Sequence, residues 1–404
     1  MNKIVAKRIS FDFILNITAS LVLTGVMQLV VYPFLAWKFS EEKYGIILTT
    51  MGLLNVLISV FGTTINNARL LQNSFYEDNN TTGDFNVIVI LFSSISAVTS
   101  FLGVKFFVGL SIKECILAAI FCFIGTWNAY NCTDFRLKLN FKRILLFNIV
   151  GAIGYLIGVV ASYKTGEWLF PFVIYQLVSC AFLFLYSGLY KETYRKTFLL
   201  SDTVKKIMIL MITTLSGSLM TYLDRFLIYP FLGPDSVSTY GVASFFGKGL
   251  SIVMTPIAGV LLGYYAQKGF VMNKRRFWYT NLVALGCGGV FIAISYFIAP
   301  FVTGLLYPKQ IDSATPYILI ANLAATIGVV TAMTQSAVLK FAPTWLQIVK
   351  ELIYGITYFV VGILTIDRYG LWGFCIAAVA SAITKLISLY IIGNIFIEKS
   401  EING

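Results

Sequence analysis

Tyr222–Gly241, YLDRFLIYPFLGPDSVSTYG, carries an acid and a base, Asp224 and Arg225, into an apolar run and repeats an earlier piece of the chain. Tyr229-Pro230-Phe231-Leu232 followed by Tyr240-Gly241 matches Tyr32-Pro33-Phe34-Leu35 followed by Tyr44-Gly45. The separation is 197 residues for the tetrapeptide (229 − 32) and 196 for the Tyr-Gly pair (240 − 44), about half of the 404-residue chain. In so apolar a chain about one or two tetrapeptides repeat by chance, so the weight rests on the half-length offset and the trailing Tyr-Gly. These predict two similar halves with a polar path between them, and Arg225 with Asp224 inside it.

Composition fixes the surroundings. With 58% hydrophobic and only 12% charged residues, the chain reads as an integral membrane protein. Uninterrupted apolar runs of about 20 residues recur, each long enough as a helix to cross about 30 Å of hydrocarbon. Runs of that length make helices rather than barrel strands. The net charge of +12 is clustered in short segments between runs, which is a topology signal and not a nucleic-acid footprint. Six cysteines without a CxxC pair, and no histidine, predict no disulfide, metal site or cofactor. The first apolar run outlasts a signal-peptide core and is expected to stay as an uncleaved span.

The expected fold class is an all-α integral membrane protein with about 12 transmembrane helices in two six-helix bundles, residues 1–198 and 199–404. The runs lie at about Asp12–Trp37, Tyr44–Asn66, Phe85–Val108, Ile112–Thr133, Ile144–Tyr163 and Trp168–Leu189 in the first half. In the second they lie at about Ile207–Leu232, Ser238–Ala266, Phe277–Ala299, Pro316–Leu339, Trp345–Ile366 and Leu371–Ile397. The basic linker Lys191–Lys206 is the expected seam. With both termini cytoplasmic, 20 lysines and arginines fall on that side, Lys3, Lys7, Arg8, Lys268, Lys350 and Lys399 among them, and 7 on the other. Six spans per half make the halves parallel repeats, and no segment between spans is long enough to hold a catalytic domain.

A charge inside a bilayer normally faces water or a partner. Thr214, Ser218, Thr221 and Arg225 are spaced 4, 3 and 4, which at 100° per residue confines them to an arc of about 60°. Ser244, Lys248, Ser251 and Thr255 repeat that spacing in the next run; Asn55, Ser59, Gly62 and Asn66 repeat it uncharged in the second, and Ser20, Thr24 and Gln28 mark the first. Such stripes could line a hydrophilic cavity or simply bond helix to helix. Arg225, Lys248, Arg69 and Lys385 are the candidate cavity cations. Arg69 could equally be a positive-inside anchor, and Lys385 is near enough to a span end to snorkel. Asp224 is either a counter-ion to Arg225 or the carrier of a coupling proton or sodium. Asn128, Asn131, Asn322, Thr326 and Gln335 could bond sugar hydroxyls or serve packing. Pro33, Pro230 and Pro256 are expected to bend helices, and Gly154 with Gly158, and Gly286, Gly288 and Gly289, to pack them closely.

Glu42-Lys43-Tyr44-Gly45, Asp224-Arg225-Phe226, Leu232-Gly233 and Tyr240-Gly241-Val242-Ala243, with the twelve-span count, resemble polysaccharide flippases of the MOP (multidrug, oligosaccharidyl-lipid, polysaccharide) superfamily, the O-antigen flippase (Wzx) type above all. The motifs span about Tyr32–Arg69 and Tyr222–Ala266; the architecture spans the chain. The resemblance implies a MATE-like pair of bundles in the bacterial inner membrane, and no enzyme. It implies that an undecaprenyl-diphosphate-linked oligosaccharide crosses to the periplasmic leaflet by alternating access, with membrane lipids and the polymerase and chain-length proteins of the same pathway as partners. Arg225 and Lys248 would meet the anionic head group. The chain departs from lipid II flippases, which have two further spans. It also lacks the acidic cluster in the amino half that many drug exporters of the superfamily use, which weakens the alternative of a cation-coupled small-molecule exporter.

Overall fold

The computed structural model describes residues 15, 17–265, 272–343 and 345–402, without the side chains at 252, 253, 255, 256, 259, 260, 263 and 398–402. Lys3, Lys7, Arg8 and Lys268 lie outside the described residues, as do the side chains of Thr255, Pro256 and Lys399. Among the described residues the regular elements are all helices. We number them α1 (Ile17–Lys38), α2 (Glu41–Asp78) and α3 (Asp84–Val108); α4 (Ile112–Asn131), α5 (Phe141–Thr165), α6 (Phe170–Tyr186) and α7 (Leu200–Thr221); and α8 (Leu223–Ala243), α9 (Phe245–Tyr265), α10 (Lys274–Leu306), α11 (Ile311–Phe341) and α12 (Trp345–Ile402). Nine helical stretches among the described residues are long and apolar enough to cross a membrane, with Phe170–Tyr186 a shorter apolar helix. The protein is an all-α, multi-pass membrane protein.

Local sequence accounts for the breaks. Gly233 (φ 78°) and Gly370 (φ 53°) interrupt α8 and α12 in the positive-φ region that only glycine enters cheaply. Hence α12 is two helices, one for each of two apolar runs, that meet at Gly370. Pro33 cannot donate a backbone hydrogen bond, and the turn before it, Met27–Val31, widens to a π-turn. A second π-turn, Ser59–Thr63, lies in α2. Ser111 and Glu114 form a reciprocal capping box on α4, and Glu114 also accepts a 2.7 Å hydrogen bond from Trp168 Nε1 just before α6.

The chain divides into two compact units, one of residues 1–39 and 46–226, the other of 40–45 and 227–404. In the first, α5 packs on α6 at backbone distance, since a Cβ on Gly158 would lie 2.4 Å from Pro171 Cα. The expectation for Gly154 and Gly158 is met. In the second unit Gly288 faces Val330 on α11, but Gly286 and Gly289 meet open space. Spaced by three, they lie on one face of α10, and among the described residues the packing expected of them is not seen.

The linker after α6 is pinned rather than loose. Asp84 accepts hydrogen bonds from the Thr197 amide at 2.6 Å and the Tyr76 hydroxyl at 2.8 Å. Asn86 donates to the carbonyls of Leu189 and Glu192. Behind them Tyr76, Phe85, Tyr130, Leu189, Leu199 and Ile207 share a buried core. Helix α7, expected to open the second bundle, therefore packs within the first unit. In the second unit, residues 40–45 are held by Glu41, which accepts from Thr239 at 2.9 Å and Ser313 at 2.6 Å. A Cβ on Gly45 would meet the Pro234 carbonyl.

Candidate functional site

In the first unit the polar stripe of α7 meets that of α2. Ser218 donates to Ser59 Oγ at 2.9 Å, at the start of the π-turn Ser59–Thr63. Beyond Thr221 the helix breaks at Tyr222, and the first turn of α8 presents Arg225. Its Nη1 donates to the Leu48 carbonyl at 2.6 Å, and its guanidinium lies 5.2 Å from the Tyr222 ring. Tyr32 is close enough for a side-chain hydrogen bond with it. Gly52 leaves the room, since a Cβ there would stand 3.1 Å from Arg225 Cδ. Buried Asp224 accepts the Arg225 amide at 2.9 Å. Gln28 and Asn55 are half-buried, while Thr221 is exposed and donates to Gly217.

The second unit holds Lys248 5.4 Å from the ring of Tyr240. Ser244 and Ser251 bond carbonyls of their own chain, Gly241 and Gly247, and Asn322 accepts the Gly247 amide at 2.7 Å, joining α11 to α9. Lys385 turns inward instead of snorkelling. Its Nζ lies 2.9 Å from Glu351, which Lys350 also meets at 3.0 Å. Lys350 is 1% exposed, where the positive-inside count treats it as a residue of the cytoplasmic side. Glu351, the partner of both lysines, is a residue that the apolar reading of the run Trp345–Ile366 passes over. The signal is Gln347, Lys350, Glu351 and Tyr354 at steps of 3, 1 and 3, one helical face.

Other candidates have side-chain partners within the first unit. Asn128 donates to the Gln176 carbonyl and side chain at 2.9 and 2.8 Å, and Asn66 to the Ala129 carbonyl at 2.8 Å. Arg69 is 5% exposed, pairs with Glu192 at 2.7 Å and lies over the Phe85 ring. Burial holds the Glu192 carboxyl above its ordinary range, Arg69 opposing only in part. Asp235, in the turn after Gly233, is also raised, by desolvation first and then by Glu41 and Glu42.

No protein-family model matches the chain, and no curated protein matches it. Solved structures do. The lipid II flippase MurJ in an inward closed conformation aligns with TM-score 0.70 at 15% identity, over 96% of this chain and 87% of that one. A multidrug resistance MATE family transporter of the MOP superfamily, inward-facing, gives 0.66 at 14% over 95% and 99%. A MOP superfamily transporter from Pyrococcus furiosus, described by the reverse polarity of its binding pocket, gives 0.64 at 12% over 96% of both chains. The fold is thus that of MOP superfamily transporters. These three structures are described as transporters or flippases.

Proposed function

We propose that the protein is a flippase that carries a lipid-linked oligosaccharide, on an undecaprenyl diphosphate carrier, from the cytoplasmic to the periplasmic leaflet of a bacterial inner membrane. The observation that carries this reading is a guanidinium, Arg225, stationed among apolar helices of a MOP fold and anchored through one nitrogen on a main-chain carbonyl. A cation among apolar helices is costly unless it meets water or a partner, and a diphosphate head group would be such a partner. Arg225 and Lys248 would meet that head group, while the isoprenoid tail stays in hydrocarbon. Asp224 orients Arg225 through its amide and is the candidate for ion coupling. No bond is made or broken; alternating access of two helix bundles would move the head group.

The test is complementation of a strain that lacks its own O-antigen flippase. Surface polymer restored by the wild type and lost in Arg225→Ala, at equal membrane abundance, supports the reading. The MATE fold favours one other reading, drug export. It would be identified by drug resistance on overproduction without restored polymer.

A further inference from the structure

We propose that Gln347, Lys350, Glu351 and Lys385 form a second anion site, for a phosphoryl group, in which Glu351 is the resident counter-ion that the ligand displaces. The inference draws on the proposed handling of an anionic head group and extends it to residues of α12 alone. The chain doubles back at Gly370 and returns Lys385 to Glu351, 34 residues away. Lys385 Nζ lies 2.9 Å from Oε1 and 3.0 Å from Oε2 of Glu351, and 4.8 Å from the centroid of the Tyr354 ring. Lys350 reaches the same Oε1 at 3.0 Å and has no other hydrogen-bond partner among the described residues.

Two ammonium groups thus share one carboxylate, leaving a net positive charge inside an apolar helix. A purely structural ion pair needs one lysine, and a surplus lysine near a helix end would ordinarily extend to water. Lys350 does neither, at 1% exposure and about 8 Å along the helix from Trp345. One turn away Gln347 has both its Nε2 and its Oε1 buried with no hydrogen-bond partner among the described residues. An amide left so is costly, and an oxyanion would accept from its Nε2 as well as from the lysines. Glu351 and Lys385, at 31% and 20% exposure, are the reachable edge of the cluster. Paired lysines exclude a cation. A phosphoryl group, with several acceptor oxygens, matches ammonium donors that act as point charges.

The experiment is titration calorimetry of the full-length protein in detergent at low salt, with inorganic pyrophosphate and farnesyl diphosphate as parallel probes. Lys385→Gln should weaken binding about tenfold or more, by loss of a charge-assisted contact. Glu351→Gln should tighten it several-fold, since the competing carboxylate is gone. The double variant Glu351→Gln/Lys385→Gln removes both members of the contact, so it decides the matter if Lys385→Gln alone misfolds: it should bind about tenfold or more weakly than Glu351→Gln. Tighter binding of farnesyl diphosphate assigns the site to a lipid-borne phosphate, and equal binding to free phosphoryl anions. Wild-type protein that binds neither probe, binding unchanged in Lys385→Gln, or equal binding by Glu351→Gln and the double variant overturns the proposal. Complementation that succeeds while these variants bind alike removes this site and leaves the flippase reading. Failed complementation with variant-sensitive binding does the reverse.

Discussion

Arg69 Nη2 meets Glu192 Oε1 at 2.7 Å across 123 residues of sequence, and fastens the linker after α6 to the end of α2. The carboxylate is still held above its ordinary pKa of 4.5, because burial outweighs the neighbouring guanidinium. A carboxyl raised on folding adds stability that is fully present below 4.5 and is lost as pH rises through the folded value. Glu192→Gln has no such titration. The thermal midpoint of the variant relative to wild type should therefore shift in the variant's favour as pH goes from 4 to 7, measured in detergent; a pH-independent difference contradicts this.

Asp84 gathers the Thr197 amide and the Tyr76 hydroxyl in a fully buried pocket. Asp84→Ala strands the Thr197 amide, leaves the Tyr76 hydroxyl only Thr203 as partner, and should lower stability by about 1–3 kcal/mol. It should also open the linker to limited proteolysis between Gly188 and Leu199. Unchanged cleavage there would show that the linker is held by other contacts.

Gly158 has no room for a side chain: a Cβ there would stand 2.4 Å from Pro171 Cα and 2.8 Å from the Phe170 carbonyl oxygen. Gly158→Val should cost about 1–3 kcal/mol by overpacking, whereas Gly286→Val, on an open face, should be near neutral. The pair of thermal midpoints checks both the α5–α6 contact and the corrected placement of Gly286.

The hydroxyls of Ser59 and Ser218 contribute to one another. A double-mutant cycle to alanine should return a coupling of about 0.5–1.5 kcal/mol. Zero coupling would separate the α2 and α7 stripes.

The membrane class, the helices and the polar stripes were legible because apolar run length and 3.6-residue periodicity are local properties of sequence. Arg225 stood out for the same reason, as a charge in an apolar run. What stayed hidden depends on pairings distant in sequence. Nothing near Arg69 announces Glu192, and nothing near Lys385 announces Glu351, because each partner comes from a distant part of the chain. The loop-side position of Lys350 points to the cytoplasm, whereas its direction is set by a carboxylate next to it. Placing α7 with the first unit likewise rests on Ser218 meeting Ser59 and on the Asp84 clamp, not on any seam in the linker's composition.

The central claim is that a phosphate-bearing lipid head group crosses the membrane by way of Arg225. The most direct measurement is transbilayer movement of a fluorescent polyprenyl-diphosphate saccharide in vesicles containing the purified protein. Wild type should move it, Arg225→Ala should not, and Arg225→Lys should restore only part of the rate, since an ammonium cannot hold the Leu48 carbonyl and an oxyanion with one planar fork. Equal rates in wild type and Arg225→Ala, with both proteins folded in the vesicles, would contradict the account.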